Sequence, residues 1–193
     1  MGKDAAPKNW PASIPYLSQA SSSPHITEAQ HSSLRTRPVD LATEIPSHLP
    51  RGPSPLVKIT LINTPSHPAK GQAGLFAARH LSPGSLIVPY YDRDAGLAVD
   101  AEKAGNEARF VNDYRGIAER PNAEFRESWD VRSRQICMAV FVLPASKNAV
   151  KKGDGPGIAK GDEILVSYGK GFWGKRKDTH KLTDDTEATG PAS

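Results

Sequence analysis

The stretch Gln135-Ile136-Cys137-Met138-Ala139-Val140-Phe141-Val142-Leu143 holds the longest apolar run of the chain, Ile136 to Leu143. It is far too short for a bilayer, which needs about 20 apolar residues in a helix. Its continuous apolar character, rich in β-branched and aromatic residues, predicts a strand buried on both faces. Such a strand belongs at the centre of a core.

Pro144 stops that strand. The following Ala145 to Gly157, carrying Lys147, Lys151, Lys152, Gly153 and Gly155, reads as a mobile surface loop. Asp162-Glu163-Ile164-Leu165-Val166-Ser167-Tyr168 then predicts a last strand ending at Gly169. Upstream, Val57-Lys58-Ile59-Thr60-Leu61-Ile62 and Leu86-Ile87-Val88-Pro89-Tyr90-Tyr91 are strand-like. Turn signals at Pro65, Gly71, Gly74 and Pro83-Gly84 lie between them. The class implied is mainly β, with many short strands and little helix.

Residues 1–55 hold nine of the 17 prolines and the Ser21-Ser22-Ser23 run, without sustained periodicity. They read as a flexible Pro/Ser-rich arm. The alternative is that the patch of Trp10, Ile14, Tyr16 and Leu17 docks on the body. The body, 56–173, has the size of one domain, and the polar tail 174–193 is expected to be disordered.

The chain has 193 residues and a formal charge of +4. One domain is expected. The single cysteine, Cys137, rules out a disulfide framework within the chain and a zinc site built on several thiolates. Six histidines, with none paired at i,i+4, supply no visible metal ligand set. The first residues lack the apolar core of a secretory signal, so a reducing, intracellular setting is the expectation.

Several motifs fail on inspection. Gly169 to Lys175 matches the spacing of a phosphate loop, but Arg176 stands where Ser or Thr should meet magnesium. The residues after it lack a helix's apolar face. There is no Gly-x-Gly-x-x-Gly after a strand and no Gly-x-Ser-x-Gly elbow. Lys175-Arg176-Lys177 and Lys151-Lys152 are short basic runs that read as solvated surface, so direct nucleic-acid binding is not expected.

Three segments remain: Lys70-Gly71-Gln72-Ala73-Gly74-Leu75-Phe76-Ala77, Val99-Asp100-Ala101 through Gly105-Asn106-Glu107-Ala108-Arg109-Phe110-Val111-Asn112-Asp113, and Lys160-Gly161-Asp162-Glu163-Ile164-Leu165-Val166-Ser167-Tyr168-Gly169. In this order the chain resembles the SET-domain family of protein lysine methyltransferases, in a short form. The resemblance implies a SET-type fold of several small sheets with a threaded C-terminal segment. It also implies S-adenosylmethionine as cofactor and a lysine-bearing protein or peptide as substrate, histones among the candidates, in the nucleus or cytoplasm.

By the family's pattern Tyr168 is the catalytic residue, its hydroxyl directed at the transfer site; otherwise it is a strand-end tyrosine capping the core. Gln72, Ala73 and Gly74 would line the cofactor, and Asn112 and Asp113 would hold its adenine through backbone groups. Trp173, with Phe172, would pack on the adenine, wall the lysine channel, or be buried in the core. Arg109 and Phe110 would be structural.

Two departures stand out. Asp113 replaces the family's histidine. Only Asp92 to Val99 separate Tyr91 from Asp100, where the family carries a substrate-groove insert of some tens of residues. The alternative function is therefore a catalytically weak or inactive SET-like binding or scaffold protein. Without a cysteine cluster for zinc-bound flanks, histone specificity does not carry over.

Overall fold

The computed structural model describes residues 6–19, 27–91, 104–144 and 157–169. The expected loop from Ala145, the short connection Asp92 to Val99, the aromatic pair Phe172 and Trp173, and the tail all lie outside the described residues, apart from Gly157 at the loop's end.

The chain forms several small sheets with little helix, as its short apolar runs imply. Helix α1 (Glu28–Leu34) is followed by β1 (Glu44–Ile45), β2 (Val57–Leu61), β3 (Ala73–Ala77) and β4 (Leu86–Tyr90). A 3-10 turn over Glu107–Phe110 leads into β5 (Asn112–Asp113), β6 (Ala123–Asp130), β7 (Gln135–Val142) and β8 (Leu165–Val166). The main sheet has the order β1-β6-β7-β4, and β2-β3 and β5-β8 are two-stranded.

β7 is interior to the main sheet, antiparallel to β6 on one side and β4 on the other. Its side chains alternate between two cores. Val140 and Val142 face the larger, with Ile59, Leu75, Ile87, Val88, Ile158, Ile164 and Val166. Cys137, Ala139 and Phe141 face the smaller, with Ile45. That is why the sequence shows no polar alternation here. Each fully buried valine or leucine contributes roughly 1.5–3 kcal/mol of transfer free energy. Among the described residues β4 pairs only with β7, so Pro89, which has no N–H to donate, sits on an edge.

Strand β6 reads as polar, Ala-Glu-Phe-Arg-Glu-Ser-Trp-Asp, and carries no obvious strand signal. It forms because β7 supplies a full antiparallel ladder, Ala123 opposite Val142 through to Asp130 opposite Gln135. Tertiary pairing overrides local composition.

Contacts with the body begin well before residue 55. Trp10 meets Tyr16 and Phe110 edge-to-face at 5.2 and 5.7 Å, and the Arg109 guanidinium lies over its ring. Tyr16 bridges to Gly105, Leu17 N–H donates to Gly105 O, and the Asn9 amide donates to Ile59 O. The Trp10 patch thus docks, as in the alternative reading of the arm. Further along, Thr27 and Gln30 form a capping box on α1. β1 joins the main sheet parallel to β6.

Candidate functional site

The last described segment runs through the middle of the molecule. It first lies along β3: Gly161 N–H donates to Ala77 O, Ala77 N–H to Asp162 O, and Ile164 N–H to Leu75 O. It then turns alongside the Asn motif, where β8 pairs parallel with β5, Asn112 opposite Leu165 and Asp113 opposite Val166. Asn122 closes the third side. Its amide donates to Glu163 O at 2.7 Å, its side-chain oxygen accepts from Leu165 N–H at 2.8 Å, and its own N–H donates to Leu165 O.

The expected strand 162–168 is therefore short. Only Leu165–Val166 pairs as a strand, because the segment changes partners between Ile164 and Leu165.

This path brings the three sequence motifs together. Gly74 lies within β3 rather than in a turn; the turn before it is made by Gly71, whose φ of +83° suits glycine. Gln72 is exposed, Ala73 half-buried and Gly74 buried. A Cβ on Gly74 would come within 2.6 Å of Glu163 Oε1. The close approach that demands glycine is thus made by the Glu163 side chain.

Glu163 is the hub. Its Oε1 accepts from the Asn112 amide nitrogen at 2.8 Å, and its Oε2 lies 2.9 Å from His67 Nε2. Both the histidine and the glutamate side chains are about nine-tenths buried. His67 Nδ1 accepts from Ala69 N–H at 3.0 Å, so Nδ1 carries no proton and Nε2–H donates to the carboxylate. Neither residue stands out in the sequence: His67 is one of six unpaired histidines, and Glu163 is half of an ordinary Asp-Glu pair.

Asp113, the departure from the family's histidine, has a structural use. Its buried carboxylate accepts from Tyr168 N–H at 2.8 Å and from the Arg115 backbone and guanidinium at 2.9 and 3.0 Å. Tyr168 rests on the larger core, and its hydroxyl donates to Val111 O at 2.5 Å. Asn112, Asp113 and Tyr168 are thereby held within one hydrogen-bonded cluster, with Gly74 beside it through Glu163. Trp173 lies outside the described residues.

A cavity of about 290 Å³ opens elsewhere, between Tyr16, Leu49, Arg51, Arg79, Tyr91, Asp130 and Ser133. None of Gln72, Ala73, Gly74, Asn112, Asp113 and Tyr168 lines it. Inside it, burial pushes the pKa of the Tyr91 phenol up, and the neighbouring Asp130 carboxylate pushes it further.

No family model matches the chain, and no curated protein matches it. Among solved structures, it is similar over 58% of its length to a humanized mutant of the Chaetomium thermophilum Polycomb Repressive Complex 2 bound to the inhibitor GSK126, at 16% identity and TM-score 0.42. It is similar over 65% of its length to ctPRC2 in an autoinhibited conformation bound to S-adenosylmethionine, at 16% identity and TM-score 0.42. A crystal structure of the Chaetomium thermophilum complex matches over 58%, at 18% identity and TM-score 0.40. The likeness is partial: the match takes in 15%, 17% and 15% of those chains respectively.

Proposed function

We propose that the chain is a SET-type, S-adenosylmethionine-dependent protein-lysine N-methyltransferase, acting on a lysine-bearing protein or peptide in the nucleus or cytoplasm. The observation that carries this reading is the convergence of Gly74, Asn112 and Tyr168, far apart in sequence, around Glu163 and Asp113. A mere string of coincidental motifs would have no reason to meet.

The residues present suit a cationic cofactor bearing an amino-acid group. The site offers a buried carboxylate, Glu163, and the Asn112 side-chain oxygen, which has no hydrogen-bond partner among the described residues. When bound, the cofactor would supply a methyl group on a sulfonium. The protein's task is chiefly to hold two reactants in attack geometry, which suits a site fastened by short strands.

Tyr168 contributes an oriented oxygen. Because its proton is directed at Val111 O, this oxygen can meet an amine N–H only as an acceptor. An apolar channel beside a sulfonium charge would lower the pKa of an entering lysine from about 10.4, favouring the neutral nucleophile.

The second reading is a SET-like binding or scaffold protein without turnover. It is favoured by Gly74, whose open side is taken by Glu163 rather than left for a ligand. The two are separated by incubating the protein with radiolabelled cofactor and core histones or a proteome extract, comparing wild type with Tyr168→Phe. Label transfer by wild type that collapses in Tyr168→Phe supports the enzyme. Equal transfer by both removes Tyr168 from its role, and cofactor binding without transfer supports the scaffold.

A further inference from the structure

We infer that His67, acting through Glu163, is a positioning residue that turns the Asn112 carboxamide so that its oxygen receives the ammonium group of an amino-acid-type ligand. The inference rests on the cofactor reading above and adds how this chain orients its asparagine.

The argument follows the protons. His67 is fastened to its own loop: its N–H donates to Thr64 O, its carbonyl accepts from Lys70 N–H, and its Nδ1 accepts from Ala69 N–H. An imidazole whose Nδ1 accepts must carry its proton on Nε2. That proton goes to Glu163 Oε2. The carboxylate, an acceptor only, presents Oε1 to Asn112, which can meet it only with its NH₂. The opposite amide orientation would set two oxygens against each other. Asn112 Oδ1 is therefore turned away from Glu163, half-exposed and without a protein donor among the described residues.

Gly74 belongs to the same device. Glu163 holds its place only because residue 74 lacks a Cβ, which would come within 2.6 Å of Oε1. Among the described residues the buried carboxylate is met by His67 and Asn112, with no lysine or arginine paired to it. A buried carboxylate held by neutral donors favours a cation nearby. A ligand ammonium at Asn112 Oδ1 would supply the missing hydrogen-bond donor and a positive charge close to Glu163.

Glu163→Gln gives a sharp consequence. His67 Nε2–H still requires an oxygen, so the glutamine must turn its NH₂ toward Asn112, and Asn112 must flip its oxygen inward to accept. The side-chain volume is unchanged, but the outward acceptor is lost. His67→Gln, by contrast, can keep an N–H donor directed at Glu163.

The test is calorimetric titration of the full chain with S-adenosylmethionine, S-adenosylhomocysteine and 5′-methylthioadenosine, the last lacking the amino-acid group. In His67→Ala, which frees Glu163 to swing away from Asn112, and in Glu163→Gln, affinity for the first two should fall about tenfold, while that for 5′-methylthioadenosine stays within about twofold of wild type. His67→Gln should recover most of the loss. Equal losses for all three ligands, or none, would overturn the inference while leaving the cofactor reading standing. If wild type binds none of them, the cofactor reading itself fails and takes this inference with it. Should His67→Ala not fold, Glu163→Gln reads the same selective loss.

Discussion

Asp113 Oδ2 accepts the backbone N–H of Tyr168 at 2.8 Å across 55 positions of sequence, and the same oxygen pairs with the Arg115 guanidinium at 3.0 Å. One buried carboxylate therefore pins Tyr168, two residues beyond β8, to the Asn motif. Asp113→Ala strips an acceptor from a part-buried amide and from a half-exposed arginine. Bonds to a charged group contribute about 1.5–3 kcal/mol, so a loss of about 2–3 kcal/mol is expected. The check is the urea midpoint at constant slope. A change under ~0.5 kcal/mol, within the range of ordinary surface substitutions, would refute the tether.

Gly74→Ala should destabilise although alanine suits a strand better than glycine. The added methyl meets Glu163 Oε1 at 2.6 Å, and also Ile62 and Phe76 at 3.0 Å. The carboxylate cannot swing aside without breaking its bonds to His67 and Asn112. Overpacking of this kind costs about 1–3 kcal/mol, which thermal unfolding would register as a lowered midpoint.

Alkaline pH should weaken the fold through Tyr91. Its pKa is raised above the ordinary value of 10.0, first by burial and then by Asp130. Below pH 10 both folded and unfolded chains hold the proton, so the contribution is fully present. Above it the unfolded chain releases the proton while the folded chain retains it, and stability declines by up to about 1.4 kcal/mol per pH unit. Urea midpoints between pH 9 and 11 should show this fall, and Tyr91→Phe should flatten it.

Trp10→Ala should loosen the docked N-terminal segment while leaving the sheets intact. Trp10 is packed by Tyr16, Phe110 and Arg109, and its indole N–H donates to Ile14 O at 2.6 Å. Local opening governs protease access, so tryptic cleavage after Lys8 should speed up about tenfold, a change of ~1.4 kcal/mol in opening free energy. Unchanged cleavage would mean that the other contacts of the segment suffice.

The central strand was legible because burial on both faces leaves its mark in the residues themselves: Val140 and Val142 toward one core, Cys137, Ala139 and Phe141 toward the other. Strand β4 was legible for the same reason, and β2 by its β-branched residues, although only one of its faces is buried. Strand β6 was not, since Glu124, Arg126 and Glu127 make it polar and only its ladder to β7 makes it a strand. Helix α1 was missed by the reading of 1–55 as an arm, although Thr27-Glu28-Ala29-Gln30 has the spacing of a capping box.

The order and spacing of residues by themselves determined the class and the buried centre, because side-chain periodicity and local turn chemistry are short-range properties; the three motifs were singled out by a family resemblance. Tertiary structure alone decided that Glu163, and not Asp162, meets Gly74, that His67 is the histidine facing it, and that Asp113 holds Tyr168. Hydrogen-bond partners across 50 to 100 positions depend on how the last segment runs between β3 and β5, a path set by the pairing of distant backbone groups that no local pattern encodes.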